Sequence, residues 1–236
     1  MGKVKKYALN NSYFKVNKSL GLPDTILEIA EYLKEQGELP FRYEGDNWVY
    51  DAFVERQKYR GVQNSQFLTP DDTVDRMMHF AGKYFHEKNY DVLEPCCGTG
   101  QITKELKKDG YKVLAFDNDD ELVQFLHNQN LNSEDPFILH SDFREFRTKQ
   151  ARKYNQIVAN PPYEVPKLTE FLEWIAEIQD EGGISILLLP KGFIDKDKPK
   201  RTFQVLRKFG VLEKEDMREE FARTKTRAEI VVLRKL

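Results

Sequence analysis

The chain has 236 residues, 40% hydrophobic and 12% aromatic, enough to bury the core of one α/β domain with an extension and too few for two full domains. Lys and Arg (37) nearly balance Asp and Glu (39), leaving a net charge of -2, so no overall positive field marks a nucleic-acid binder and any such grip has to be local. The two cysteines, Cys96 and Cys97, fit neither a disulfide framework nor a zinc pattern, and no apolar run approaches the ~20 residues that span a bilayer, so a soluble cytoplasmic protein without a metal or a membrane partner is expected.

Residues 1–60 are polar and aromatic and are expected to form a short N-terminal extension. It holds one amphipathic helix, Asp24 to Gln36, opened by Pro23 and stopped at Gly37. From Thr69 onward helical stretches alternate with short apolar ones, the signature of βα units, which places one catalytic domain over 61–236. Thr69-Pro70-Asp71-Asp72 predicts a helix start, with Thr69 as N-cap and Pro70 in the first helical position. Strands are predicted at Asp91–Leu93, Val113–Phe116, Phe137–His140, Gln156–Ala159, Ile184–Leu189 and Glu229–Leu233. Six such strands make a doubly wound, Rossmann-like α/β sheet with helices on both faces.

The first strand runs into Glu94-Pro95-Cys96-Cys97-Gly98-Thr99-Gly100, followed by the helical stretch Ile102 to Lys108. Gly98 and Gly100 allow a tight turn and a close approach to a ligand, although an ordinary strand-to-helix turn would use the same glycines. The next strand ends at Asp117-Asn118, about 20 residues on, where a carboxylate can accept from a ribose diol. Position 103 is Thr, so the full dinucleotide fingerprint is missing and NAD or FAD is disfavoured. The third strand ends at Asp142-Phe143, which suits an adenine edge and face; an Asp N-cap followed by a core Phe is the alternative. Three consecutive strand ends thus describe one nucleoside slot.

The fourth strand ends in Asn160-Pro161-Pro162-Tyr163. An aromatic or amide amine is a poor nucleophile because its lone pair is delocalised, so chemistry on it needs fixed acceptors for both N–H groups. The Asn160 side-chain oxygen and the Pro161 carbonyl can supply them, and the two prolines hold them in place before reaction. Tyr163 offers a face to a planar substrate, with base stacking worth about 1–3 kcal/mol. The alternative is a proline-rich turn closing a strand, with Asn160 satisfying backbone groups.

Taken together, these motifs resemble the class I S-adenosylmethionine-dependent methyltransferases, and specifically the N6-adenine DNA methyltransferases with a gamma-type motif order. The resemblance covers roughly 61–236, and Gln66-Phe67-Leu68-Thr69-Pro70 is similar to the segment that closes over the methionine end of the cofactor. It implies that Thr69 and Pro70 approach the cofactor's carboxylate, Glu94 its amino end, Cys96, Gly98 and Gly100 its backbone cradle, Asp117 with Asn118 the ribose, and Asp142-Phe143 the adenine. It also implies Asn160, Pro161, Pro162 and Tyr163 as the catalytic motif, with Phe221 stacking on the far face of the target base.

The resemblance further implies DNA as partner, with RNA as an alternative, in a bacterial, phage or mobile-element setting. The residues after Tyr163 are expected to be used up by the remaining strands. Target specificity then falls to the extension, to the basic loop 191–201 with Lys191, Lys196, Lys198, Lys200 and Arg201, or to a specificity or restriction partner subunit. Competing readings are RNA adenine, a protein glutamine amide with the same pair of N–H groups, and a non-catalytic nucleic-acid-binding subunit that keeps the fold. Cytosine-ring chemistry is disfavoured because position 162 is Pro rather than a nucleophilic Cys.

Overall fold

The computed structural model describes residues 69–86, 91–127, 137–149, 153–195, 197–217 and 227–236, all within the unit Phe67–Leu236. The expected helix Asp24 to Gln36, the segment Gln66 to Leu68 and Phe221 lie outside the described residues.

In chain order the elements are α1 (Asp71–Tyr84), β1 (Asp91–Pro95), α2 (Gln101–Lys108), β2 (Lys112–Asp117), α3 (Asp120–Leu126), β3 (Phe137–His140) and α4 (Phe143–Lys149). They continue with β4 (Gln156–Ala159), α5 (Val165–Ile178), β5 (Ile184–Pro190), α6 (Lys200–Leu206), β6 (Phe209–Asp216) and β7 (Ala228–Lys235). The strands form one seven-stranded sheet in the order β3-β2-β1-β4-β5-β7-β6. β1 to β5 run parallel, and β7 is antiparallel to both β5 and β6. α1 packs with α2, while α4, α5 and α6 form a second packed set, giving the expected doubly wound architecture with helices on both faces. The strand order reverses between β1 and β4, and at such a switch point the carboxyl ends of neighbouring strands open a crevice.

β4 and β5 are nearly continuous apolar runs because both their faces are covered, and β1 is buried from Val92 to Pro95 with the acid Glu94 among its buried residues. One side of the sheet buries an aromatic cluster: Phe116 stacks on Phe146 at 4.7 Å between ring centroids, and Phe143 and Phe171 pack on Trp174 at 5.7 and 5.4 Å. Each such side chain contributes about 1.5–3 kcal/mol by leaving water. The other side receives Val74, Met77, Met78 and Ala81 from α1, spaced for one helical face.

Two expectations are corrected. Helix α1 begins at Asp71 with Pro70 as its N-cap, one residue later than predicted. Pro70 has ψ 148°, outside the helix, and its carbonyl accepts the Val74 N–H at 2.9 Å; the Thr69 hydroxyl is engaged elsewhere and does not cap. Strand β6 was not among the predicted six. It is an edge strand with one neighbour and a register shift at Val211/Glu213, and its second half, Glu213-Lys214-Glu215-Asp216, carries a charge at every position. Neither strict alternation nor a continuous apolar run marks it, and charged residues are what keep an exposed edge from pairing with another chain.

Candidate active site at the carboxyl edge of the sheet

The strand register brings the motifs to one edge. Pro95 lies beside Phe116, Asp117 beside His140, and Leu93 beside Ile157. The loop after β1, the β2 and β3 ends and the tetrapeptide after β4 therefore leave the sheet side by side.

The loop after β1 is built on left-handed backbone. Cys96 has φ 61°, and Gly98 and Gly100 have φ 54° and 73°. A Cβ on Gly98 would meet nothing within 4 Å, so that face of the loop is open. At Gly100 a Cβ would sit 2.6 Å from Leu126 Cδ2, so any side chain there has to push the Leu126 side chain of α3 aside. Cys96 is the one non-glycine residue among the described residues with positive φ, a conformation costing about 1–3 kcal/mol and typical of functional loops. Cys97 anchors the loop, its N–H donating to the Phe116 carbonyl at 3.0 Å.

Asp117 ties two turns together. Its Oδ2 accepts the Gly98 N–H at 2.8 Å and its Oδ1 the Asp119 N–H at 2.9 Å. Each oxygen keeps a further lone pair for a hydroxyl. Burial pushes its pKa up to about 6, held back by those backbone donors. Glu94 is 1% exposed, and burial pushes its pKa up to about 8, opposed by the hydroxyl of Thr103, which donates to it. The Cys96 thiol is pushed up by burial and then by Asp117, Asp142 and Glu94, so the acids of all three strand ends surround one loop residue.

Asp142 is a helix cap: its Oδ1 accepts the Arg144 N–H at 2.9 Å, and its Oδ2 lies 3.4 Å from the Arg144 guanidinium. The Phe143 ring packs into the aromatic core, with the Arg144 guanidinium 4.8 Å from its centroid. Asn118 is exposed, its carbonyl 3.3 Å from His140 Nε2.

Asn160 follows β4 and is half-buried; its Nδ2 donates to Thr69 Oγ1 at 3.1 Å. That bond joins the segment before α1 to the tetrapeptide and sets which way the amide faces. With Nδ2 held, Oδ1 is the end presented away from Thr69. Pro161 is buried, Pro162 half-buried, and the Tyr163 hydroxyl lies inside the protein, which pushes its pKa well up.

Sequence reasoning passed over three contributors. Thr103 was read only as a departure from a glycine pattern, yet it holds Glu94. Leu126 closes over Gly100. The Thr99 hydroxyl, inside the glycine loop, is buried with no hydrogen-bond partner among the described residues. A Thr between the two loop glycines was the only signal available for any of them. The basic loop 191–201 is largely engaged: Lys191 pairs with Asp216, Arg201 with Glu173 at 2.5 Å, and Lys198 Nζ lies 4.3 Å from the Phe193 ring centroid. Two surface cavities lie elsewhere: one of about 610 Å³ beside α6, and one of about 310 Å³ at the opposite edge of β4 and β5.

The parallel sheet with its antiparallel seventh strand, and the glycine loop and acids at its switch point, define a class I S-adenosylmethionine-dependent methyltransferase. The chain belongs to the ribosomal RNA adenine dimethylase family, whose model matches residues 56–217. It is 32% identical over 108 residues to ribosomal RNA small subunit methyltransferase A of Mycoplasmopsis pulmonis (46% of this chain, 40% of that protein). With the Thermotoga maritima protein of the same name it is 25% identical over 171 residues (70% and 53%). Modification methylase CviBIII of Paramecium bursaria Chlorella virus NC1A is 27% identical over 115 residues (47% and 28%). The chain thus spans about half the length, or less, of the curated relatives it matches. Among solved structures, 23S rRNA methyltransferase ErmE superposes with a TM-score of 0.56 at 21% identity, covering 72% of this chain and 70% of that one; it shares the fold.

S-adenosylmethionine is the methyl donor of this family, and the donor set suits it. Buried carboxyls match a ligand that carries an ammonium and a sulfonium, the open face at Gly98 admits a close backbone approach, and Thr99 offers an unspent hydroxyl.

Proposed function

We propose that the chain methylates N6 of adenine in RNA, with ribosomal RNA as the substrate. This revises the DNA reading drawn from the motifs toward its RNA alternative: the family match and the two small-subunit methyltransferase relatives both favour RNA. The similarity to Modification methylase CviBIII keeps adenine in DNA as the second reading.

The observation that carries the chemistry is the Asn160 amide, fixed by Thr69 at the end of β4. Bound S-adenosylmethionine supplies an electrophilic methyl group on a sulfonium. Asn160 Oδ1 and the Pro161 carbonyl accept the two N6–H groups and so stabilise the positive charge that grows on N6 as the N–C bond forms and the C–S bond breaks. An amide oxygen is too weak a base to keep a proton, so the displaced proton passes to water. Tyr163 stacks on the base. Glu94 would receive the cofactor's ammonium and Asp117 its ribose hydroxyls, with the open face at Gly98 clearing the approach. Asp142 holds the loop that borders the adenine, and Phe143 fixes that loop from the core side.

The test is Asn160→Ala. Transfer should fall by at least ~100-fold, the scale of losing one preorganised polar group, while S-adenosylmethionine still binds. Turnover equal to wild type would remove the catalytic assignment.

A further inference from the structure

The chain's net charge of -2 hides one concentrated basic stretch. Residues 196–208 carry six Lys or Arg and a single acid. Part of it forms α6, which buries Thr202 and Val205 and turns Lys200, Phe203 and Arg207 outward, one helical turn apart from each other. Phe203 is 56% exposed. Arg207 and Lys200 make no ion pair among the described residues, whereas the neighbouring Arg201 is committed to Glu173. Phe203 also lines the cavity of about 610 Å³, with Ile194, Leu206 and Phe209 as its other apolar lining residues. Of its two acids, Asp195 is neutralised by Lys214 at 2.6 Å, and Asp197 lines the cavity together with Lys198 and Arg207.

We propose that α6 and this cavity form a docking surface for a single-stranded stretch of RNA flanking the target adenine. Phosphates run past Lys200 and Arg207, and an unpaired base stacks on Phe203. The reasons are charge and aromatic placement: two unpaired cations bracket an exposed ring, which is how proteins hold unpaired strands without reading their sequence. Position supports it as well. The segment leading into α6 leaves the sheet at the carboxyl end of β5, and β5 pairs with β4, whose last residue Ala159 is followed by Asn160. The Lys200 end of α6 thus starts from the edge that holds the tetrapeptide, and a strand laid along the helix runs from there toward the start of β6 at Phe209.

This inference rests on the RNA reading and is tested with the full chain. Binding of poly(A) and methylation of total ribosomal RNA are measured for wild type, Phe203→Ala and Arg207→Glu, at several salt concentrations, beside S-adenosylmethionine affinity. Phe203→Ala should weaken poly(A) binding about tenfold, and Arg207→Glu should lower the slope of log affinity against log salt by roughly one. Cofactor affinity should stay unchanged in both, which also reports that these surface variants fold. Wild-type affinity and salt slope in both variants, with ribosomal RNA methylated by all three proteins, would overturn the docking surface and leave the function standing. A wild-type chain that neither binds poly(A) nor methylates ribosomal RNA would overturn both.

Discussion

Thr69 and Asn160 lie 91 residues apart and share one hydrogen bond; on the proposed function, the amide that would meet the substrate is oriented by the segment that would approach the cofactor. Thr69 acts through Asn160 and is a positioning residue. Thr69→Val, isosteric but without the acceptor, should lower kcat about tenfold to a hundredfold with a smaller change in KM, and Thr69→Ser should restore it; equal kcat in all three proteins would contradict the role. Glu94 gives a prediction in pH. Its folded pKa of about 8 lies above its ordinary value of 4.5, so the folded chain holds a proton that the unfolded chain loses. Stability of the cofactor-free protein therefore falls as pH rises from about 4.5 to about 8, and Glu94→Gln should flatten that part of the profile in thermal unfolding. An ammonium beside Glu94 favours the ionised form, so S-adenosylmethionine affinity should rise toward pH 8 in wild type and stay level in the variant. A flat wild-type profile would separate Glu94 from the cofactor. The residue types at these positions were legible in the sequence; the Thr69 to Asn160 bond was not, because it joins residues 91 apart that only the fold brings together, and the Thr103 to Glu94 bond was not, because it depends on how the turn after β1 folds α2 back over the strand.

At the level of elements, the strands buried on both faces were readable because covering both faces demands an apolar run, as in Ile184–Pro190. β6 escaped because an edge strand answers to one neighbour and to solvent. Its charges are spent on ties that clamp the edge to the body: Arg76 grips Glu215 with two bonds of 2.7 and 2.5 Å, and Lys83 pairs with Glu213. The start of α1 was misplaced by one residue because Thr69, a good cap by type, had a tertiary partner. The loop between β1 and α2 yields a stability prediction. Gly100→Ala combines a left-handed φ of 73° with a Cβ 2.6 Å from Leu126, so it should destabilise by about 1–3 kcal/mol in denaturant unfolding and weaken cofactor binding. Gly98→Ala carries the same left-handed cost into open space and should destabilise less; the reverse order would contradict the packing described.

For the whole molecule, the fold and the cofactor slot followed from glycines and acids at successive strand ends, because a parallel sheet sends all those ends to one edge. The substrate did not follow. Asn160 and Pro161 match an amine with two N–H groups, and adenine in DNA, adenine in RNA and a glutamine amide all present one. What separates them lies in surfaces beyond the tetrapeptide, and among the three the family match favours RNA. The most direct measurement is transfer of radiolabelled methyl from S-adenosylmethionine to total ribosomal RNA and to unmethylated genomic DNA in parallel, with nucleoside analysis of both. N6-methylated or N6,N6-dimethylated adenosine in the RNA, with the DNA unlabelled, is the predicted result. Label confined to N6-methyladenine in the DNA would contradict it.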